Sequence, residues 1–254
     1  MSQTDELVPI LKKLRLSGVL DTLRIRNKQA VDDSLSYDEF LLRLLGDEVE
    51  RREAKQLHLR LRRAAFEHAK TIEDFDFSFN PKLPRSKIVD LANCSFVERQ
   101  ENVLLVGGAG VGKSHIAQAL GHRACRCGHT ALFTQAHQMF AELRASRADH
   151  SYERRLLRYT GPDLLVVDDL GLRPLQPPEP EDLYEVIRQR YERGSIIVTS
   201  NRDDEEWYPL FGDALLASAA MDRLLHHSHI IKMEGPSYRN PPPPSANMAQ
   251  AAAQ

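Results

Sequence analysis

Cysteine is scarce in this chain of 254 residues. Its three cysteines, Cys94, Cys125 and Cys127, cannot build a disulfide framework at this length, so a reducing cytosol is the expected compartment. The start, MSQTDELVPILKK, lacks a cationic segment followed by a long apolar run, and no secretory signal is expected. Long hydrophobic runs are also missing. The most apolar stretches, Leu164–Val167 and Ser195–Thr199, are far too short to cross a bilayer, which argues against a membrane partner. Nor does charge of one sign dominate. There are 34 Lys and Arg against 36 Asp and Glu, a formal net charge of −2. No bulk basic surplus announces a nucleic-acid partner, so any DNA contact must rest on local groups. The 42% of hydrophobic residues is enough for a core, which excludes wholesale disorder, and the 28% of charged residues gives an ion-pair-rich surface.

Residues up to about Lys70 read as helical. Leu7, Ile10, Leu11 and Leu14 recur at three- to four-residue spacing. Ser36-Tyr-Asp-Glu39 has capping-box spacing, and Phe40, Leu41, Leu44, Leu45 and Val49 continue an apolar face behind it. No Gly or Pro interrupts Asp47 to Phe79, so one long helix is expected there. The run Phe75-Asp-Phe-Ser-Phe-Asn-Pro81 alternates and then breaks, with a further break at Pro84. It separates a helical N-terminal domain, 1–74, from a second domain, 75–239. In the second domain, short apolar runs at Val103–Val106, Thr130–Phe133, Leu164–Val167, Ser195–Thr199 and Ile230–Met233 alternate with helical patterns such as Glu181–Arg193 and Ala214–His226. That alternation predicts an α/β fold with a five-stranded parallel sheet covered on both faces. The tail, 240–254, opens with Asn240-Pro-Pro-Pro-Pro244 and offers too little apolar bulk to pack, so disorder is expected.

The strongest chemical signal is Gly107-Gly108-Ala109-Gly110-Val111-Gly112-Lys113-Ser114, which fits G-x-x-x-x-G-K-[ST] between a strand-like and a helix-like run. Glycines let backbone N–H groups turn inward as an anion nest, and the helix N-terminus adds its positive dipole end. Lys113 then reaches the β- and γ-phosphates of a nucleotide, and Ser114 ligates Mg²⁺. A second signal is Leu164-Leu-Val-Val-Asp168-Asp169, an apolar strand ending in two carboxylates. Asp168 can hold Mg²⁺, and Asp169 can polarise an attacking water. Asn201 closes the next strand at the same sheet edge, where it can position that water or sense the γ-phosphate. An additional strand separating the loop strand from the acidic strand suits ATPases with a water-activating acid better than simple nucleotide kinases.

Longer runs make the match specific. They are Gly108-Ala-Gly-Val-Gly-Lys-Ser-His115-Ile-Ala, Asp163-Leu-Leu-Val-Val-Asp-Asp-Leu-Gly171, Arg190-Tyr-Glu-Arg-Gly-Ser-Ile-Ile-Val-Thr-Ser-Asn-Arg202, Phe211-Gly-Asp213 and Asp222-Arg-Leu-Leu-His-His-Ser-His229. Together they resemble the IstB-like helper ATPases of bacterial insertion sequences, AAA+ proteins related to the DnaC helicase loaders. The resemblance extends to Ser237-Tyr-Arg239. It implies ATP and Mg²⁺ as cofactors, with the loop from Gly107 to His115 on the phosphates, Asp168 and Asp169 as the acidic pair and Asn201 as sensor. Arg223 matches the family's arginine finger, which acts in trans on a neighbouring subunit, and Arg239 matches a terminal nucleotide contact. The implied activity is an ATPase that assembles on double-stranded target DNA and hydrolyses ATP in response to a cognate transposase. The alternative is a DnaC-like loader of a replicative helicase. The departures are Asp168-Asp169 in place of Asp-Glu, the Pro-rich loop Pro174–Pro180, and polyproline after Arg239 where a helical lid usually follows.

Two basic groups are candidates for DNA contact. Arg51, Arg52, Lys55, Arg62 and Arg63 form the first, and a helix brings Arg52, Lys55, Arg62 and Arg63 to one side. Arg144, Arg147, Arg154, Arg155 and Arg158 form the second. Neither is interleaved with aromatics, which favours backbone contact over base stacking. His122, Cys125, Cys127 and His129 do not have the spacing of an ordinary zinc finger. His226, His227 and His229 straddle a helix-to-strand change, which favours a structural or interface role. Trp207 and Tyr208 are expected to pack the loop after Asn201.

Overall fold

A computed structural model describes residues 3–240, which divide between Leu59 and Arg60 into two compact units. Most of the tail, 241–254, lies outside the described residues.

The first unit contains α1 (Gln3–Lys13), α2 (Ser17–Asp32) and the greater part of α3 (Tyr37–Ala64). The capping box forms as its spacing requires. Ser36 Oγ accepts from the Glu39 N–H at 3.3 Å, and the Glu39 carboxylate accepts from the Ser36 N–H at 3.0 Å. Val19, Leu23 and Leu44 form a small core with Leu11, Leu16 and Phe40 against it. Arg26 grips Asp47 with two bonds of 2.8 and 2.6 Å, holding the Asp47 carboxyl down at about 2 from an ordinary value of 3.8. A depressed carboxyl stabilises the fold above its unfolded value and loses that contribution as pH falls toward the folded value. The expected result is that Asp47→Asn lowers the melting temperature at pH 6 and converges with the parent near pH 2, as read by circular dichroism.

The long helix ends earlier than its unbroken sequence suggests. It stops at Ala64, and Ala65 takes a left-handed φ of 56°. The reason is tertiary. Phe66 turns to stack on His122 with ring centroids 4.5 Å apart and tilts against Phe133, and the His68 N–H donates to Gln118 at 3.1 Å. These contacts outweigh continuation of the helix.

The second unit follows with α4 (Arg85–Leu91), α5 (Ser95–Glu98), β1 (Asn102–Gly107), α6 (Lys113–Arg126), β2 (Ala131–Gln135) and α7 (Ala136–Ala148). After these come α8 (Tyr152–Thr160), β3 (Leu164–Leu170), α9 (Glu179–Arg190), β4 (Ser195–Ser200), a 3₁₀ turn (Asp204–Phe211), α10 (Ala214–Leu225) and β5 (Ser228–Met233). Two helices, α7 and α8, fill the interval that sequence reads as one, and α4 and α5 carry no apolar periodicity long enough to announce them. All strand pairs are parallel, in the order β2-β3-β4-β1-β5. Strand alternation sends Leu104, Val106, Leu165, Val167, Ile196 and Val198 into one cluster with α7, α8, α9 and α10. The intervening residues, Val103, Leu105, Val166 and Ile197, are equally buried toward the other face, where α6 lies against the sheet.

Arg190 gives the block Arg190-Tyr-Glu-Arg-Gly-Ser195 a structural role. Its guanidinium is 1% exposed and donates to the carbonyls of Tyr159, Pro162, Asp163 and Ser195 at 2.7–3.0 Å, tying the approaches to β3 and β4 together. Burial pulls its pKa down to about 10. A Cβ at Gly194 would stand 2.8 Å from that guanidinium, so a larger residue there would have to displace it from its carbonyls. Arg190→Ala removes this donor from the buried bonds to the Tyr159 and Ser195 carbonyls and is expected to destabilise the unit by about 2–3 kcal/mol in urea unfolding.

Candidate active site

The C-terminal ends of β1, β4 and β3 converge on a cavity of about 700 Å³. Such a position, outside the strand ends of a parallel sheet, is where open α/β folds place their ligands. The loop from Gly107 to Gly112 leads from β1 into α6, so its N–H groups and the helix N-terminus face one space. Ala109, Gly110, Gly112, Lys113, Ser114 and His115 line the cavity, whereas Val111 turns inward and is 2% exposed. Gly112 has φ 100°, and a Cβ there would lie 2.5 Å from the Phe75 ring. The loop therefore needs glycine both for its backbone and for the aromatic that supports it.

Lys113 opens α6 and is 5% exposed. Its ammonium donates to the carbonyls of Gly107 at 2.8 Å and Gly108 at 2.6 Å, and to Asn201 Oδ1 at 2.7 Å. Burial lowers its pKa, and the charges of Asp169 and Asp168 oppose that effect. Asp168 is 4% exposed, and its Oδ1 accepts from the Thr199 hydroxyl. Burial raises the Asp168 pKa, hydrogen bonds with Thr199 and Ser114 act against the rise, and the charges of Asp169 and Glu67 add to it. A buried acid with two further carboxylates nearby is a place that favours a cation.

Asp169 sits in a left-handed conformation, φ 57°, where the β3–β4 register shifts between Val167 and Leu170. Its N–H donates to Thr199 Oγ1 at 2.9 Å, so one hydroxyl orients both members of the acidic pair. A bulge of this kind re-aims a side chain, and Asp169 lines the cavity. Thr199 is absent from the sequence-based set. A hydroxyl in an otherwise apolar strand of matching register was the available signal. Tyr238 and Arg239 reach the cavity from beyond β5. The Tyr238 N–H donates to the Gly110 carbonyl at 2.9 Å, and Arg239 lies close enough to lower the Lys113 pKa.

Arg223 stands elsewhere. It lies in the last turn of α10, donates to the Ala219 carbonyl at 2.7 Å and rests over the Tyr184 ring at 5.7 Å. It shares a shallow depression with Gln100 and Asn102, at the opposite end of β1 from the phosphate loop. The His226 and His227 rings meet there at a tilt of 47° with centroids 3.8 Å apart, and His226 Nδ1 is 2.8 Å from the Tyr191 hydroxyl.

The basic groups are more committed than their sequence implies. Arg51 and Arg52 pair with the buried Glu48 at 3.5 and 2.7 Å, while Lys55 is exposed. Arg62 and Arg63 are exposed in the second unit. In the second group, Arg144 pairs with the buried Glu179 at 2.6 Å, and Arg147 pairs with Asp182, which is fully buried. Arg155 and Arg158 share Glu142 at 3.4 and 2.8 Å. Arg154 has no ion pair among the described residues and is exposed. Glu179 also accepts from Arg173 and from the Gln176 N–H, which anchors the Pro-rich loop. Trp207 is buried and donates to the Arg202 carbonyl at 3.2 Å, whereas Tyr208 is exposed. Among the described residues, no helix is long and apolar enough to cross a membrane.

A five-stranded parallel sheet with β4 between the loop strand and the acidic strand defines an AAA+-type phosphate-loop core. The profile of the family described as "IstB-like ATP binding protein" matches residues 9–242, and the chain belongs to that family, in the AAA+ DnaC–IstB branch. It is similar to an insertion-sequence ATP-binding protein of Mycobacterium tuberculosis, 44% identical over 230 residues, covering 90% of this chain and 92% of the relative. It is 38% identical to the ATP-binding protein of insertion sequence IS21 from Pseudomonas aeruginosa, covering 92% of this chain and 88% of that one. Among solved structures, the crystal structure of DnaI shares the fold at TM-score 0.56 and 21% identity, covering 65% of this chain and 91% of that one. The DnaC helicase loader shares it at TM-score 0.51 and 19% identity, covering 67% and 96%.

Proposed function

We propose that the chain is an ATPase that binds ATP with Mg²⁺ between the phosphate loop and the acidic pair, and serves an insertion sequence as a DNA-binding transposition helper. The observation that carries this reading is the convergence of Lys113, Ser114, Asp168, Asp169 and Asn201 on one cavity. The donor set fits Mg²⁺. Ser114 and Asp168 line the same cavity and offer oxygen ligands only, the donor type a hard divalent cation selects. Bound there, Mg²⁺ neutralises charge on the phosphate oxygens.

The chain's own groups supply the rest. Lys113 exchanges one or more of its three acceptors for phosphate oxygens, and its bond to Asn201 links that exchange to the end of β4. Asp169, its backbone pinned by Thr199, accepts a proton from the attacking water as that water adds to the γ-phosphorus and ADP leaves. Arg239 adds positive charge beside the phosphates, and His115 braces the floor with its Nε2 3.0 Å from the Thr71 carbonyl. Arg223 lies too far from its own loop to serve it, which supports a finger acting on a neighbouring copy and hence ATP-driven self-assembly.

The relatives at 44 and 38% identity are insertion-sequence proteins, which supports a transposase as partner. The helicase-loader reading has a likeness of fold alone behind it. Contact with double-stranded DNA is assigned to the two basic groups, with Lys55, Arg62, Arg63 and Arg154 exposed and the remaining arginines in them presenting guanidiniums that also serve ion pairs. Reversing Arg154 and Arg155 to Glu is expected to weaken DNA binding roughly tenfold at low salt while ATP affinity is unchanged. A fluorescence anisotropy titration reads both, and unchanged DNA affinity rejects the second patch. The reading as a whole is tested by steady-state ATPase assays with and without duplex DNA. The expected result is Mg²⁺-dependent turnover, and no nucleotide binding at all rejects the proposal.

A further inference from the structure

The segment between α3 and α4 brings a further carboxylate to the cavity, one that the phosphate loop, the acidic pair and the sensor do not employ. Phe66, held against His122 and Phe133, and the His68 N–H, bonded to Gln118, fix the backbone on both sides of Glu67. Glu67 Oε1 accepts from the Gln135 side-chain amide at 2.6 Å. Gln135 is the last residue of β2 and is paired in register with Asp168 on β3. Glu67 therefore stands one strand outboard of Asp168, on the wall of the cavity that also holds Ser114. Its hydrogen bond is to a neutral amide rather than to a cation, so its charge stays in the cavity, where it acts on Asp168.

A magnesium ion in a nucleotide site retains several waters and takes only one or two protein carboxylates. The outward hydrogens of those waters need acceptors, and loss of an outer-shell acceptor typically costs about 10–100-fold in metal affinity. We propose that Glu67 is a positioning residue for the hydrated divalent cation, its free carboxylate oxygen accepting from cation-bound water and Gln135 fixing its orientation. The role rests on the nucleotide reading above. It also gives the region ahead of α4 a reason to fold onto the site, because Phe75 and Thr71, from the same stretch, brace Gly112 and His115.

The test is a Mn²⁺ titration by electron paramagnetic resonance on the full chain with a non-hydrolysable ATP analogue, beside analogue affinity measured without divalent cation. Glu67→Gln is expected to weaken Mn²⁺ binding about tenfold and leave cation-free analogue affinity unchanged. Glu67→Asp, which keeps the charge, recovers part of the loss, and Gln135→Ala shows a smaller loss than Glu67→Gln. Wild-type Mn²⁺ affinity in Glu67→Gln overturns the proposal. So does an equal loss of cation-free analogue affinity, which marks a structural role. If the unsubstituted protein binds no analogue, the nucleotide reading itself fails, and Glu67 falls with it.

Discussion

Replacing Lys113 with alanine is expected to abolish nucleotide binding. The ammonium is nearly fully buried and lies where two loop carbonyls and Asn201 can hand it over to phosphate oxygens. Charge-assisted hydrogen bonds of this kind each contribute about 1.5–3 kcal/mol, so losing two of them costs at least about a hundredfold in affinity. The change also leaves Asp168 and Asp169 without the nearby positive charge that opposes their mutual repulsion. Isothermal titration with an ATP analogue reads the loss, and circular dichroism confirms that the fold survives. Retained binding within about threefold contradicts the assignment of Lys113 to the phosphates.

Arg223→Ala is expected to show the opposite profile, with nucleotide bound normally and hydrolysis lost by about a thousandfold or more, the range an arginine finger supplies. Geometry separates the two effects. The Arg223 guanidinium is steadied by the Tyr184 ring and the Ala219 carbonyl at the far end of the sheet. The six residues of β1 that lie between span about 20 Å at the usual strand rise. Turnover in the variant at the unsubstituted rate removes the finger role, and with it the main physical reason to expect assembly.

How much of this was legible depended on where the ordering forces lie. The inner strands β1, β3 and β4 were visible because parallel strands covered on both faces are runs of Val, Ile and Leu, whereas the edge strands β2 and β5 showed only shorter apolar runs. β3 extends past the apolar run through Asp168 and Asp169 to Leu170, because the ladder continues where hydrophobicity stops. The phosphate loop was legible because its function needs glycine and lysine at fixed spacing. Thr199 and Glu67 were not, since their roles arise from register across strands and from a bond between residues 68 positions apart. The end of α3 at Ala64 was hidden for a related reason: the residues that stop it are packed by His122 and Phe133, far along the chain. The arginines of α7 looked like a free cationic face because their acids, Glu179 and Asp182, lie 35 residues away on α9.

The cross-subunit site is the central claim, and mixing two inactive proteins tests it most directly. Lys113→Ala retains Arg223 but is expected to bind no nucleotide, whereas Arg223→Ala is expected to bind nucleotide without supplying the finger. Equimolar mixing, followed by ATPase assay across a concentration series, is expected to restore a substantial fraction of wild-type turnover, rising with protein concentration. A mixture that stays at the background of the separate variants, while each still assembles with wild type, contradicts an active site built from two copies of the chain.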